Sequence, residues 1–464
     1  MDIKNERSVL LGTENISKLL IKFSIPAIIG MLVNALYNVV DRIFVGNSIG
    51  DIGIGAIFVG SPFTLILMAF GTLIGVGGNS LSSIRLGEDK KDEAELILGN
   101  SFVLMLIISL TLSISGLIFI EPLLKAFGAN ENILPYSIAY LSIIIMGAPF
   151  QALGFGLNNF IRGEGNPRVA MATMLIGAIL NIILDYVFIF IFHMGIKGAA
   201  LATIIAQGVA ATWVLSYFFG RGGMLRLRRK NMRLQKYVVK DIISIGFAPF
   251  SMHLAASTVT VILNNSLNIY GGDLAISSMG VINSITMFIL MPIFGINQGA
   301  QPIIGFNFGA KKYDRVKEAL KKAIIAATSI SILGFIFTQT MPDKLFGLFL
   351  QKGVDISTIL GIGTRGLRIN LFMLPIIGFQ IVSANYFQAT GKPKQAALLS
   401  LSRQVLALIP AIFILPRFFG LNGVWAAAPV SDLIASVTTA VFIIKDLKYL
   451  SNREILNQPI MEKR

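Results

Sequence analysis

Two carboxylates are the residues of this sequence most able to do chemistry. Asp41 and Asp185 each sit inside a long apolar stretch. A carboxylate at the centre of a bilayer costs about 2.5–3.5 kcal/mol on the insertion scale, so one kept there points to a function. Asp41 ends a helical stripe of Asn34, Tyr37, Asn38 and Asp41, a spacing that puts the side chains on one face. Asn181 stands one turn before Asp185, and Thr203 lies early in the next apolar segment. Two carboxylates, a carboxamide and a hydroxyl make an anionic, oxygen-rich set suited to a proton or a hard cation such as Na⁺. The bland alternative is that both acids sit in a wet outer vestibule.

Other chemistries find little support. There is no cysteine, so thiolate metal sites and disulfides are excluded. The two histidines, His193 and His253, are far apart in sequence. No P-loop and no nucleophile–base constellation is visible, so no enzyme activity is expected.

The elements that must position these residues are membrane helices. The 464 residues are 54% hydrophobic and 14% charged, against about a quarter charged in a soluble domain. No charge occurs between Asp51 and Arg85, Glu95 and Glu121, Lys197 and Arg221, or Asp273 and Lys311. Such blocks can each hold the roughly 20 apolar residues a spanning helix needs. None alternates with period two, which argues against a β-barrel. The expected fold is all-α, with twelve spans near 16–44, 52–82, 96–120, 133–161, 169–193, 195–219, 241–269, 274–306, 323–342, 358–388, 395–416 and 421–444. Asp185 and Thr203 then lie about 12 Å below the same surface.

The net charge of +15 sorts by loop. Arg85, Lys90, Lys91, Arg162, Arg168, Lys311, Lys312, Arg315, Lys317, Lys392 and Lys394 fall on one side, as does the stretch from Arg221 to Lys240. Positive-inside bias, rather than nucleic-acid binding, accounts for this pattern. It predicts a multi-pass plasma-membrane protein with both termini and the basic middle loop in the cytoplasm.

The halves repeat. Pro26 pairs with Pro249, Gly87 with Gly309, Pro149 with Pro375, Gly165 with Gly391, Pro167 with Pro393, Gly195 with Gly420 and Gly198 with Gly423, at offsets of 222 to 226. Six spans per half make the repeats parallel, with a cleft between two bundles. The predicted divisions are a first lobe (1–220), a basic linker (221–240), a second lobe (241–446) and a cytoplasmic tail (447–464).

Together these landmarks resemble the multidrug and toxic compound extrusion (MATE) family, in its MepA-like bacterial branch. The matching stretches are Pro26 with Asp41, then RGEGNP after the fourth span and NIILD on the fifth. GIKGAALATIIAQ, QGAQPIIGFNFGA and FQATGKPKQA complete the set. The resemblance implies a secondary transporter, working as a monomer, that exports cationic or amphipathic small molecules in exchange for H⁺ or Na⁺ by alternating access. It implies no cofactor beyond the coupling ion. It also places the cation-coupling network, with Na⁺ as one occupant, at Asp41, Asn181, Asp185 and Thr203. The second half does not copy that network, since the offsets put Asn264 and Ala411 opposite Asp41 and Asp185. Asn34, Tyr37, Asn158, Met174 and Gln301 are the candidate substrate contacts, and Pro26 the candidate hinge. Asp432 is either a second coupling acid or the partner of an arginine. A flippase for lipid-linked substrates is the rival reading. It would call for a cationic cleft, whereas the clearest charges within spans are anionic.

Overall fold

A computed structural model describes residues 10–220, 223–347 and 356–457. The predicted ends of the cytoplasmic termini, 1–9 and 458–464, lie outside these residues, as does the side chain of Asn38. The apolar blocks form helices α1 (Ile16–Ile49), α2 (Asp51–Gly87) and α3 (Lys91–Ile118), then α4 (Leu134–Met146), α5 (Ala148–Gly163), α6 (Pro167–Ile191) and α7 (Gly195–Phe219). The second half supplies α8 (Lys236–Gly272), α9 (Leu274–Gly309), α10 (Tyr313–Thr340), α11 (Leu360–Asn370), α12 (Leu374–Ala389), α13 (Pro393–Phe419) and α14 (Leu421–Asn457). Ten of these are long and apolar enough to cross a membrane singly. The pairs α4–α5 and α11–α12 are bent spans, which brings the total to twelve.

The repeat is written in the backbone. The two bent spans break at 51° and 48°, just before Pro149 and Pro375. Proline disfavours helical geometry in the residue before it and is well placed in the first turn of a new helix. The tight turns also pair: Gly50 with Gly272, Asp89 with Lys311, Gly165 with Gly391, and Gly195 with Gly420 all have positive φ.

The two halves meet backbone to backbone. A methyl group on Gly77 of α2 would strike the carbonyl of Ile242 on α8, and one on Gly246 would strike that of Leu73. Further along, Gly87 abuts the carbonyl of Phe306 on α9, and Gly309 abuts that of Ile84. This second contact is reciprocal, because Gly87 and Gly309 are repeat partners. Small residues allow such close approach between helices in a membrane. Hydrogen bonds that join the halves gather at this same end. Gln301 Nε2 donates to Ser80 Oγ at 2.7 Å. Asn307 Nδ2, Lys312 Nζ and Arg315 Nη2 donate to carbonyls of Leu11, Gly12 and Glu14 just before α1, at 3.0, 2.8 and 2.7 Å. The closed end is the one bearing the basic loops. At the other end Gly50, Gly272 and Gly420 have nothing beside them within 4 Å.

The basic middle stretch is not a loose linker. Met224, Leu225 and Leu227 are buried, and α8 already begins at Lys236. Asn100 of α3 clamps the segment: its Nδ2 donates to the carbonyls of Asn231 and Arg233, and its Oδ1 accepts from Gln235 N at 2.8 Å. Arg228 pairs with the buried Glu95 at 3.0 Å. The carboxylate of Glu164, from the RGEGNP turn, accepts from Leu225 N at 2.8 Å and from the Tyr217 hydroxyl. The last helix likewise runs to Asn457, past the predicted start of a tail at 447.

Asn100→Ala would leave these backbone groups unpaired, which costs about 1–3 kcal/mol. A lower melting temperature and faster trypsin cleavage between Arg226 and Lys236 are the expected readings. A cysteine pair tests the closed seam, since the chain has no native thiol. A Cβ on Gly305 would lie 3.2 Å from Ser83 Cβ, close to the ~3.5–4.5 Å that a disulfide spans. Ser83→Cys with Gly305→Cys is expected to cross-link under mild oxidation, seen as a thiol-reversible gel shift absent from either single variant.

Candidate functional site

A cavity of about 350 Å³ opens within the first half. Asn34, Tyr37 and Asp41 of α1, Asn158 of α5, Met174 and Asn181 of α6, and Thr203 of α7 all line it. The second half contributes Gln298 of α9. Residues far apart in sequence thus share one wall, because α1 packs on α6 and α6 on α7.

Asp185 sits behind this lining, at 0% exposure, where α6 widens into a π-helical turn over Tyr186–Ile191. Widened turns of this kind are frequent at functional sites. Its carboxyl lies close enough to that of Asp41 to feel its charge. No donor among the described residues reaches either oxygen of Asp185. Asn181 Nδ2 donates to Thr203 Oγ1 at 3.4 Å, and Thr203 Oγ1 donates to the carbonyl of Ala199 at 3.0 Å. Asn181 Oδ1 is buried with no donor of its own. The four residues predicted as one network therefore stand together. Their oxygens suit a hard cation: two carboxylates that repel each other, and a carboxamide oxygen left without a partner. Among the described residues, no group of three His, Cys, Asp or Glu side chains comes together.

Other predicted residues lie elsewhere. Gln301 does not line the cavity; it bridges the closed seam to Ser80, buried to 5% exposure. Gln298, three residues earlier on the same helix, takes the place at the cavity wall. Asp432 forms an ion pair with Arg403, Nε to Oδ1 at 2.6 Å, in α14 and α13. Pro26 is within α1, about four turns before Asp41. Arg162 departs most from its reading as a loop cation. It is 4% exposed on α5 and lines the cavity. The sequence carried a signal for this, because Asn158 and Arg162 are one helical turn apart and share a face.

The MatE family profile matches residues 26–187 and 249–413, once in each half. The chain belongs to the MatE family. Among similar MATE relatives, the multidrug export protein MepA of Staphylococcus saprophyticus is 28% identical over 457 residues, covering 98% of this chain and all of that one. MepA of Staphylococcus aureus is 28% identical over 458 residues, with the same coverage. The solved MATE multidrug transporter DinF-BH is 39% identical, with a TM-score of 0.87 over 94% of this chain and 97% of that one. An outward-facing MATE multidrug-resistance transporter is 25% identical, with a TM-score of 0.90 over 96% and 99%. The chain is thus a membrane transporter of the multidrug efflux family, built from helices without strands among the described residues.

Because the repulsion between Asp41 and Asp185 is relieved by a cation, binding of one should stabilise the fold. Thermal unfolding in Na⁺ against choline, and at falling pH, should show wild type stabilised by whichever cation the acid pair takes up. A double Asp41→Asn, Asp185→Asn variant is expected to respond to neither. An unchanged response would place the cation elsewhere.

Proposed function

We propose that this MATE protein exports cationic or amphipathic small molecules in exchange for H⁺ or Na⁺, using Asp41, Asn181, Asp185 and Thr203 as the coupling site. The observation that carries the reading is the paired carboxyls beside a cavity that Asp41 itself lines. Their negative charge attracts a cationic substrate. A proton or Na⁺ at the same pair cancels that charge, so substrate and ion exclude each other. Such differential binding is what ties a gradient to a conformational equilibrium.

Alternating access supplies the other half of the cycle. The basic loops support a cytoplasmic setting for the closed end and for both termini. The end without seam contacts then faces outward, ready to release substrate and admit the ion. Reloading requires the glycine seam of α2, α8 and α9 to part and the outer ends to close. Pro26 gives α1, which carries Asp41, a point at which to bend. Asn34, Tyr37, Asn158 and Met174 are the substrate contacts we assign from their place on the cavity wall, and Gln298 joins them. The plasma membrane is the site of action, and one chain contains every part of the cycle described.

Everted vesicles and a fluorescent cationic dye test the proposal. Imposing a pH gradient and a Na⁺ gradient separately should drive uptake with one of them. Asp41→Asn is expected to lower that uptake tenfold or more at equal expression. Full gradient-dependent uptake in the variant would overturn the assignment of the coupling site.

A further inference from the structure

The cavity wall holds a cation that the coupling chemistry leaves unused. Arg162 is 4% exposed and lines the cavity at the level where α5 ends and α6 begins. Among the described residues its one hydrogen bond runs from Nη2 to Asn159 Oδ1 at 2.6 Å. A guanidinium has five N–H donors, so most of its capacity is unspent. No carboxylate among the described residues pairs with it. The nearest acid in sequence, Glu164, is committed to Leu225 N and Tyr217. A buried charge without a counter-ion is strongly unfavourable, and residues inside a membrane protein that bear one mark substrate or ion paths.

The acids and the arginine mark opposite ends of the same space. Asn158 Nδ2 donates to the carbonyl of Ala170, which sets the α5 side of the cavity against the first turn of α6. Asp185 ends the regular part of that helix fifteen residues later, about 22 Å along the axis. The cavity thus has Asp41, backed by Asp185, at one level and Arg162 at the other.

We infer that Arg162 receives the carboxylate of a transported zwitterion, whose cationic end points towards Asp41 and Asp185. Guanidinium suits this role, since its planar fork matches a carboxylate in two parallel hydrogen bonds. The inference rests on the cavity being the substrate site, and it adds to the cations proposed above those amphiphiles that also bear a carboxylate. It assigns to Arg162 a discrimination that the acid pair cannot make, between a free acid and its ester.

A matched pair of dyes tests this. Rhodamine 6G is an ethyl ester with a single positive charge; its hydrolysed form carries the same cation and a free carboxylate. Fluorescence polarisation with the purified full chain would compare affinities for both. In Arg162→Gln the acid is expected to bind about tenfold or more weaker, while the ester changes less than about threefold. Arg162→Lys should fall between. Asn159→Asp places a carboxylate against the guanidinium and should weaken the acid selectively too, which settles the question if Arg162→Gln fails to fold. Equal changes for both dyes, or none for either, would overturn the role of Arg162 alone. If wild type binds neither dye, the cavity is not the substrate site, and both readings fall.

Discussion

Backbone contact between the halves, made available by glycine, is the constraint around which the molecule is arranged. Side chains larger than hydrogen at Gly77, Gly246, Gly87 or Gly309 would hold α2 away from α8 and α9. Lipid tails are as apolar as leucine, so burial of apolar side chains does little to hold two bundles together in a membrane. Close packing and a few hydrogen bonds must do it instead. Gln301, Asn307, Lys312 and Arg315 supply those bonds at the same end. Around these contacts one buried apolar cluster runs across both halves, with Leu73 and Ile74 of α2 beside Ile242, Ile245 and Ile303 of the second half. The cavity of the first half depends on the seam for its form.

The charge chemistry is asymmetric although the scaffold is not. Bent spans, tight turns and seam glycines all recur at the repeat offset. The acid pair does not: Asn264 and Ala411 stand at the corresponding positions. The charged pair within the second bundle, Arg403 with Asp432, is an internally satisfied ion pair. The acid pair thus belongs to one bundle alone. The proposed coupling therefore sets a shared mechanical frame against a single acidic site.

Much of this was legible in the sequence, for physical reasons. Apolar blocks without charges can only be membrane helices, and prolines and glycines at a constant offset betray a repeat because each enforces a local backbone shape. Asp41, Asn181, Asp185 and Thr203 could be grouped because helical spacing and depth fix where side chains fall. Rotation of one helix against another is not encoded in such spacing. Gln301 and Gln298 are a turn apart on α9, and only the packing of α9 on α2 decides that the first meets Ser80 and the second the cavity. Arg162 was hidden by its place at a span end, where arginines usually reach for water. Docking of the basic segment was hidden as well, since its cations read as solvated while its hold on the first bundle runs through backbone groups.

That docked segment changes where the molecule divides. Residues 223–235 are fastened to Asn100, Glu95 and Glu164, all in the first half, right up to the first turn of α8. A strand of chain so anchored has no slack to lend. In the rocking motion proposed above, the covalent joint between the bundles is the single peptide step from Gln235 into Lys236, a pivot and not a leash. For anyone separating the transporter into two polypeptides, the natural cut is therefore at the foot of α8. A cut ahead of the basic run would strip the first bundle of part of its own floor.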